Sequence, residues 1–365
     1  MESPLEESPL EESPLEHGPV PSPDVLARER PVRASWNPLA VSGTALPPNV
    51  LLAAKLIAVS FIATGQVQAL PSPFLPFVAV LDGLPLQPVL QALFLTATTA
   101  LLLNRAVRTC CLVLGATLFV ALLSSRLYFE NNRTFTACVL FLTGLYEPRQ
   151  RHSLIRLQLV VLYFGAALNK VLDPDWRSGQ FFENWVTHVL QYPGYARFSA
   201  LLPPLALSAL LDWLAIATEA ALALGFLVPR LRRPAIVLGV LWHTGLLLIT
   251  GRTFGMFYYA LLSSYVAVAA WPRAPLTLLY TPARRGAGGL RSLLQRLDFD
   301  HALHWVRSDA AAARGPGVRA NAYRGLAAYV AALRYTPATY FVLLLGVLML
   351  RPLSQVYRSL LMKLA

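Results

Sequence analysis

Apolar residues come in long unbroken runs along this chain, not in alternation with polar ones. Eight runs cover roughly 50–70, 85–103, 109–125, 134–147, 153–172, 205–228, 234–251 and 254–271. A helix needs about 20 apolar residues to cross the hydrocarbon of a bilayer, whereas a barrel strand alternates apolar and polar positions. Inside lipid every backbone polar group must find an internal partner, which leaves the helix as the element these runs can form. The pattern predicts an all-α polytopic membrane protein with about eight transmembrane helices. The run 134–147 is short for a crossing.

The flanks differ from this body. Residues 1–49 open with the pentad Glu-Ser-Pro-Leu-Glu three times, Glu2–Glu6, Glu7–Glu11 and Glu12–Glu16. Proline at every fifth position and strong acidity oppose a packed core, so a disordered acidic tail is expected. No basic region leads into an apolar one there, so a signal peptide is not expected. Residues 50–272 form the transmembrane domain. Residues 273–365 read as a basic cytosolic tail, a small α/β or irregular appendage. Its apolar stretch 337–350 suits a buried or interfacial helix as well as a ninth crossing.

Charge refines this picture. The net charge of +12 divides into −5 over 1–49, +7 over 50–272 and +10 over 273–365. Charged membrane loops and a cytosolic tail account for that division, so no nucleic-acid partner is expected; the bilayer is the partner. With the N-terminus in the cytoplasm, eleven arginines fall on inner segments and five on outer loops, which favours both termini inside. The 28 Arg against 3 Lys suit a GC-rich bacterial genome, and hence a multi-pass protein of the cell inner membrane. Cys110, Cys111 and Cys138 lie in apolar stretches with no CxxC or Cys/His cluster, so neither a disulfide framework nor a metal site is expected.

Ionisable side chains inside apolar runs are costly and mark candidate chemistry. Lys170 stands near the outer end of the fifth run, Glu219 in the sixth, His243 in the seventh and Arg133 at the entry to the fourth. Tyr163 and Ala166 share the helical face of Lys170, and Gly165–Ala167 are small enough to admit a neighbouring helix. Desolvation there favours a neutral amine, the form a general base needs; a lysine snorkelling beside Trp176 is the plain alternative. Glu219 and His243 stand at similar depth on consecutive spans, so an ion pair or shared proton is expected between them. In the long loop 173–200, Asp175 and Glu183 are candidate partners of Arg133 or Arg177. Lys170, Glu219 and His243 are expected to line one water-accessible cavity on the outer face, with Tyr163 and Trp176 in its wall.

Three blocks resemble a known family. Tyr163–Lys170 followed by Asp173–Gly179, the run Thr253–Tyr259 with Ser263-Ser264 and Trp271-Pro272, and Glu130–Phe135 resemble the HTTM (horizontally transferred transmembrane) family. That family is related to the membrane domain of vitamin K-dependent gamma-carboxylase. The resemblance implies Lys170 as a base acting on a reduced quinone, with His243 matching a histidine of the corresponding helix. Arg133 departs from the pattern, since the carboxylase has histidine there and arginine accepts no proton at neutral pH. The tail more faintly resembles the thioredoxin-like DCC family around Leu276–Tyr280 and Gln355–Arg358. Where that family carries a cysteine pair, this chain reads Tyr280–Arg285 without a thiol.

Three functions compete on these grounds: a carboxylase-like or quinol-dependent membrane enzyme, a maturation or export factor for a secreted peptide, and a non-catalytic membrane scaffold. Catalytic candidates are Lys170, His243 and Glu219; substrate-binding candidates are Arg133, Tyr163, Asp175 and Trp176. The arginine asymmetry makes a first prediction. A topology reporter fused after Ala365 should be active on the cytoplasmic side, and activity confined to the opposite side would reverse the assignment.

Overall fold

A computed structural model describes residues 37–41, 43–71, 86–124, 128–146, 153–191, 193–250, 256–269, 275–280, 287–307, 323–324, 328–329 and 331–332. The pentad repeats, the loop 72–85, the stretch 337–350 and Gln355–Arg358 lie outside the described residues. Each of the eight apolar runs contains one long helix: α1 (Pro48–Ala63), α2 (Leu86–Leu102), α3 (Val107–Ser124), α4 (Asn131–Gly144), α5 (Ser153–Leu172), α9 (Ala206–Leu227), α10 (Arg232–Thr250) and α11 (Phe257–Val268). Three short helices, α6 (Pro174–Ser178), α7 (Gln180–Asn184) and α8 (Pro193–Ser199), lie between α5 and α9. The helices over Val107–Ser124, Leu154–Leu172 and Ala206–Leu227 are long and apolar enough to cross a membrane. The first run was expected to stay helical to residue 70, but α1 stops at Ala63. The Thr64 hydroxyl donates to Ser60 O at 2.8 Å, and Gly65 takes the left-handed conformation (φ +74°) that ends helices.

The centre of the molecule is the pair α1 and α11. Every residue of α11 from Tyr258 to Val268 is buried, as are twelve of the sixteen residues of α1. A helix apolar on all sides belongs in a protein core or in lipid, and here the remaining helices surround this pair. Two polar side chains of α1 serve this core. Asn49 donates to Ala267 O (2.6 Å) and Ala269 O (3.2 Å), filling carbonyls that the end of α11 leaves open. Lys55, fully buried, donates to Pro38 O (2.8 Å), Ala40 O (2.7 Å) and Leu102 O (3.4 Å). It thereby binds the end of α2 and the approach segment 38–40 to the middle of α1.

Glycines let α3 and α4 approach closely. A Cβ on Gly115 would lie 2.7 Å from the backbone N of Phe141, and one on Gly144 would lie 2.8 Å from Arg108 O. Small residues at helix crossings are the main route to tight packing where lipid removes the hydrophobic drive between helices.

After α11 the chain forms a small parallel sheet of order β2-β1-β3: β1 (Leu276–Tyr280), β2 (Leu303–Arg307) and β3 (Tyr323–Arg324). Helix α12 (Ala287–Leu297) connects β1 to β2, and its Leu294 packs on Leu276, Leu278, Leu303 and Trp305. Asp298 turns the chain into β2 by accepting the amides of Ala302 (2.9 Å) and Leu303 (2.8 Å); burial raises its carboxyl above the usual range. Phe299 joins the helical core, its carbonyl takes Val41 N–H at 2.9 Å, and Asn37 donates to Arg296 O at 3.3 Å. The sheet unit is therefore docked on the helices and shares the 37–41 segment with Lys55.

The glycine contact between α3 and α4 predicts a cost for any larger side chain. Gly115→Val should destabilise the fold by about 1–3 kcal/mol through overpacking, read as a lower unfolding temperature in detergent.

Candidate functional site

Helices α5 and α9 lie antiparallel in a strict register. Tyr163 stacks on Phe226 (centroids 6.0 Å, 12°), and seven residues further along α5 Lys170 meets Glu219, seven residues back along α9. Two turns on one helix match two turns on the other, so the same faces meet at both levels. Only 22% of the Leu154–Leu172 window is buried, so most of α5 faces outward, with Leu157, Val161, Phe164 and Leu168 exposed.

Lys170 Nζ donates to both carboxylate oxygens of Glu219, at 2.8 Å and 2.6 Å. The two side chains keep 18% and 15% of their surface, so the pair is enclosed but not sealed. The indole of Trp176 covers the ammonium at 4.8 Å and is itself stacked on Phe181 at 4.0 Å. An indole face is the best aromatic surface for a cation.

One step deeper, Tyr163 OH shares a hydrogen bond with His243 Nε2 (2.9 Å) and a second with the hydroxyl of Tyr265. Phe226 stacks against both phenols, 6.0 Å from Tyr163 and 5.4 Å from Tyr265. Gly239 makes this possible. A Cβ there would lie 2.5 Å from the Tyr265 hydroxyl, so only glycine on α10 lets Tyr265 reach Tyr163. His243 follows Gly239 by one helical turn and meets the same centre. Lys170 and Tyr163 lie on one face of α5, so the two levels form one polar seam.

Above Leu172, α5 ends and α9 continues, and the short helices cover the remainder. Asp173 Oδ1 accepts Asp175 N–H at 2.9 Å, which starts α6 with Pro174 in its first turn. Gly179 (φ +87°) turns α6 into α7, and then a π-helical turn, Trp185–Leu190, leads toward α8. Tyr195 on α8 donates to Glu183, and burial pushes its phenol up to about 12.

The structure brings Lys170, Glu219, Tyr163, His243 and Trp176 together. It does not pair Glu219 with His243 as the matching depths suggested: the α5–α9 register places Lys170 opposite Glu219, while His243 turns to Tyr163. Nor do Arg133 and Asp175 meet. Arg133 donates to Tyr128 O (3.0 Å), lies over the Tyr128 ring (4.1 Å) and pairs with Glu130 (3.5 Å). Asp175 is exposed on α6. Two site residues escaped the sequence reading. Tyr265 directly follows the Ser263-Ser264 pair singled out there, but an apolar run hides a phenol. Asp212 lies seven residues before Glu219, on the same face of α9, and that spacing in an apolar run was a usable signal. Among the described residues no three His, Cys, Asp or Glu side chains gather as for a metal ion.

The ion pair predicts a coupled stability effect. Glu219→Leu alone leaves an enclosed ammonium without its counter-charge and should cost about 3–5 kcal/mol, whereas adding Lys170→Met to it should recover most of that loss. Unfolding temperatures in detergent for the four members of the cycle check it, and additive losses would refute it.

A search with the chain found no matching curated protein and no matching solved structure. The HTTM domain model matches residues 146–270, the stretch from just before α5 through α11, which holds Lys170, Glu219, His243 and Tyr265. The helices that build this polar seam are thus the ones that resemble an HTTM domain, and three helices of the chain are long and apolar enough to cross a membrane.

Proposed function

We propose that this is a multi-pass enzyme, crossing the membrane about eight times with both termini cytoplasmic, in which Lys170 removes a proton from a substrate. One observation carries the reading: an ammonium and a carboxylate share protons at 2.6–2.8 Å at membrane depth, under a single indole, beside a phenol–imidazole pair. Such a pair has a ready route to a neutral amine. Passing one proton from Lys170 Nζ to Glu219 Oε2 leaves two uncharged groups, which a low-dielectric interior favours over two separated charges. The neutral amine then takes the substrate's proton, and the restored ammonium holds the anion formed. Tyr163 and His243 stand where a hydroxyl or carbonyl of the substrate would be oriented, and Trp176 limits water.

These groups suit a reduced quinone. A lipid-facing α5 gives an apolar approach, Trp176 and Phe181 offer ring faces, and Lys170 with Tyr163 supplies hydrogen-bonding groups suited to a quinol hydroxyl. When bound, the quinol would contribute reducing equivalents. Lys170 would accept the hydroxyl proton, Glu219 would hold the proton given up beforehand, and His243 would keep the Tyr163 phenol in place. Arg133, engaged by Glu130 and Tyr128, takes no part in this reading.

Lys170→Ala and Lys170→Arg should each lower activity by about 10²–10⁴-fold, because guanidinium retains its charge but cannot act as a base. Complementation of a strain lacking the gene, with insertion confirmed by membrane fractionation, measures this. Full activity of Lys170→Arg would reduce the lysine to a fixed charge.

A further inference from the structure

We infer that Asp212 is a positioning residue: it latches the α6–α7 strap onto α9 and thereby sets how far the Lys170–Glu219 pair opens to water. The inference deepens the reading of Lys170 as the working base and rests on it for its functional meaning, although its geometry stands alone.

Asp212 is fully buried in α9, at 0% exposure, two turns from Glu219 on the same face. A carboxylate buried at membrane depth is costly and calls for a partner. Its Oδ2 accepts the backbone N–H of Phe182 at 3.4 Å, and its Oδ1 meets no donor among the described residues. This hydrogen bond crosses from α9 to α7. A second contact lies three residues earlier on both sides: a Cβ on Gly179 would stand 2.5 Å from Ala209 N. Residues 179 and 182 thus meet residues 209 and 212 with the same spacing, which seats α7 along α9 in one register. Gly179 permits the close approach, and Asp212 fastens the next turn.

The strap seated this way carries the cover. Phe181 lies between the two attachment points, and its ring stacks on Trp176, whose other contact is Lys170. Gly179, in its left-handed conformation, is the joint between the two short helices. Loss of either attachment lets the indole lift from the ammonium. The bond requires an acceptor at position 212 and no charge, so asparagine is expected to substitute for aspartate.

The chain offers a clean readout, because it has only three lysines, Lys55, Lys170 and Lys363. The purified full-length protein in detergent is treated with a water-soluble N-hydroxysuccinimide acetate, and acetylation at each lysine is followed by peptide mass spectrometry. Lys55, held by its three carbonyls, reports that the helical core is intact. Asp212→Ala and Gly179→Ala should each acetylate Lys170 about tenfold faster than the unmodified chain, whereas Asp212→Asn should stay at its rate. Unchanged Lys170 rates in Asp212→Ala and Gly179→Ala overturn the inference. So does an Asp212→Asn rate equal to that of Asp212→Ala, which would show that the charge matters and the latch does not. If Asp212→Ala also exposes Lys55, the fold has failed and Gly179→Ala decides alone. Because acetylation needs no turnover, the latch can fail while Lys170 remains essential, and the reverse can also occur.

Discussion

A charge placed in an apolar helix must be neutralised where it stands, and the helices from α5 to α11 are arranged around that requirement. Glu219 stands far from either end of α9 and keeps only 15% of its side-chain surface, so it is held by a cation on a neighbouring helix. The α5–α9 register supplies Lys170 at that level. The same register, two turns away, sets Tyr163 against Phe226, and from there the seam reaches His243 and Tyr265. The strap exists because α5 ends soon after Lys170, leaving the rest of α9 to be covered by something else. Site, cover and helix register thus follow from one electrostatic demand.

The two buried lysines show two answers to that demand. Lys170 faces a carboxylate, a group that can accept its proton. Lys55 faces three backbone carbonyls, which stabilise an ammonium by dipole and hydrogen bond but cannot take the proton away. The first arrangement has a proton acceptor within it, and the second has none. The chain accordingly uses the first where chemistry is proposed and the second as a clamp between α1, α2 and the segment on which the sheet unit rests.

Much of the architecture was legible in the hydropathy pattern. Unbroken apolar runs placed the eight long helices among the described residues, because run length and absence of alternation are properties of the chain itself. The boundary of α1 was misjudged, since Gly65 ends a helix through its backbone and leaves no trace in hydropathy. Lys170, Glu219 and His243 were visible as ionisable residues among apolar ones. Their pairing was not, because depth along a helix does not say which face meets which neighbour. Tyr265 was hidden for a related reason: its role depends on Gly239 across a helix crossing, and no feature of either residue's own sequence neighbourhood reveals that contact.

The two central helices carry a consequence for biogenesis. At 1.5 Å per residue, the twelve residues of α11 span about 18 Å and the sixteen of α1 about 24 Å, against a hydrocarbon thickness of about 30 Å. Neither is well matched to the bilayer as a solitary segment, and their buried sides fit protein, not lipid. Among the described residues they are the first and last of the long apolar helices, so the pair closes only after everything between them has left the ribosome. Until α11 is made, the faces of α1 that it covers in the folded protein lack that partner.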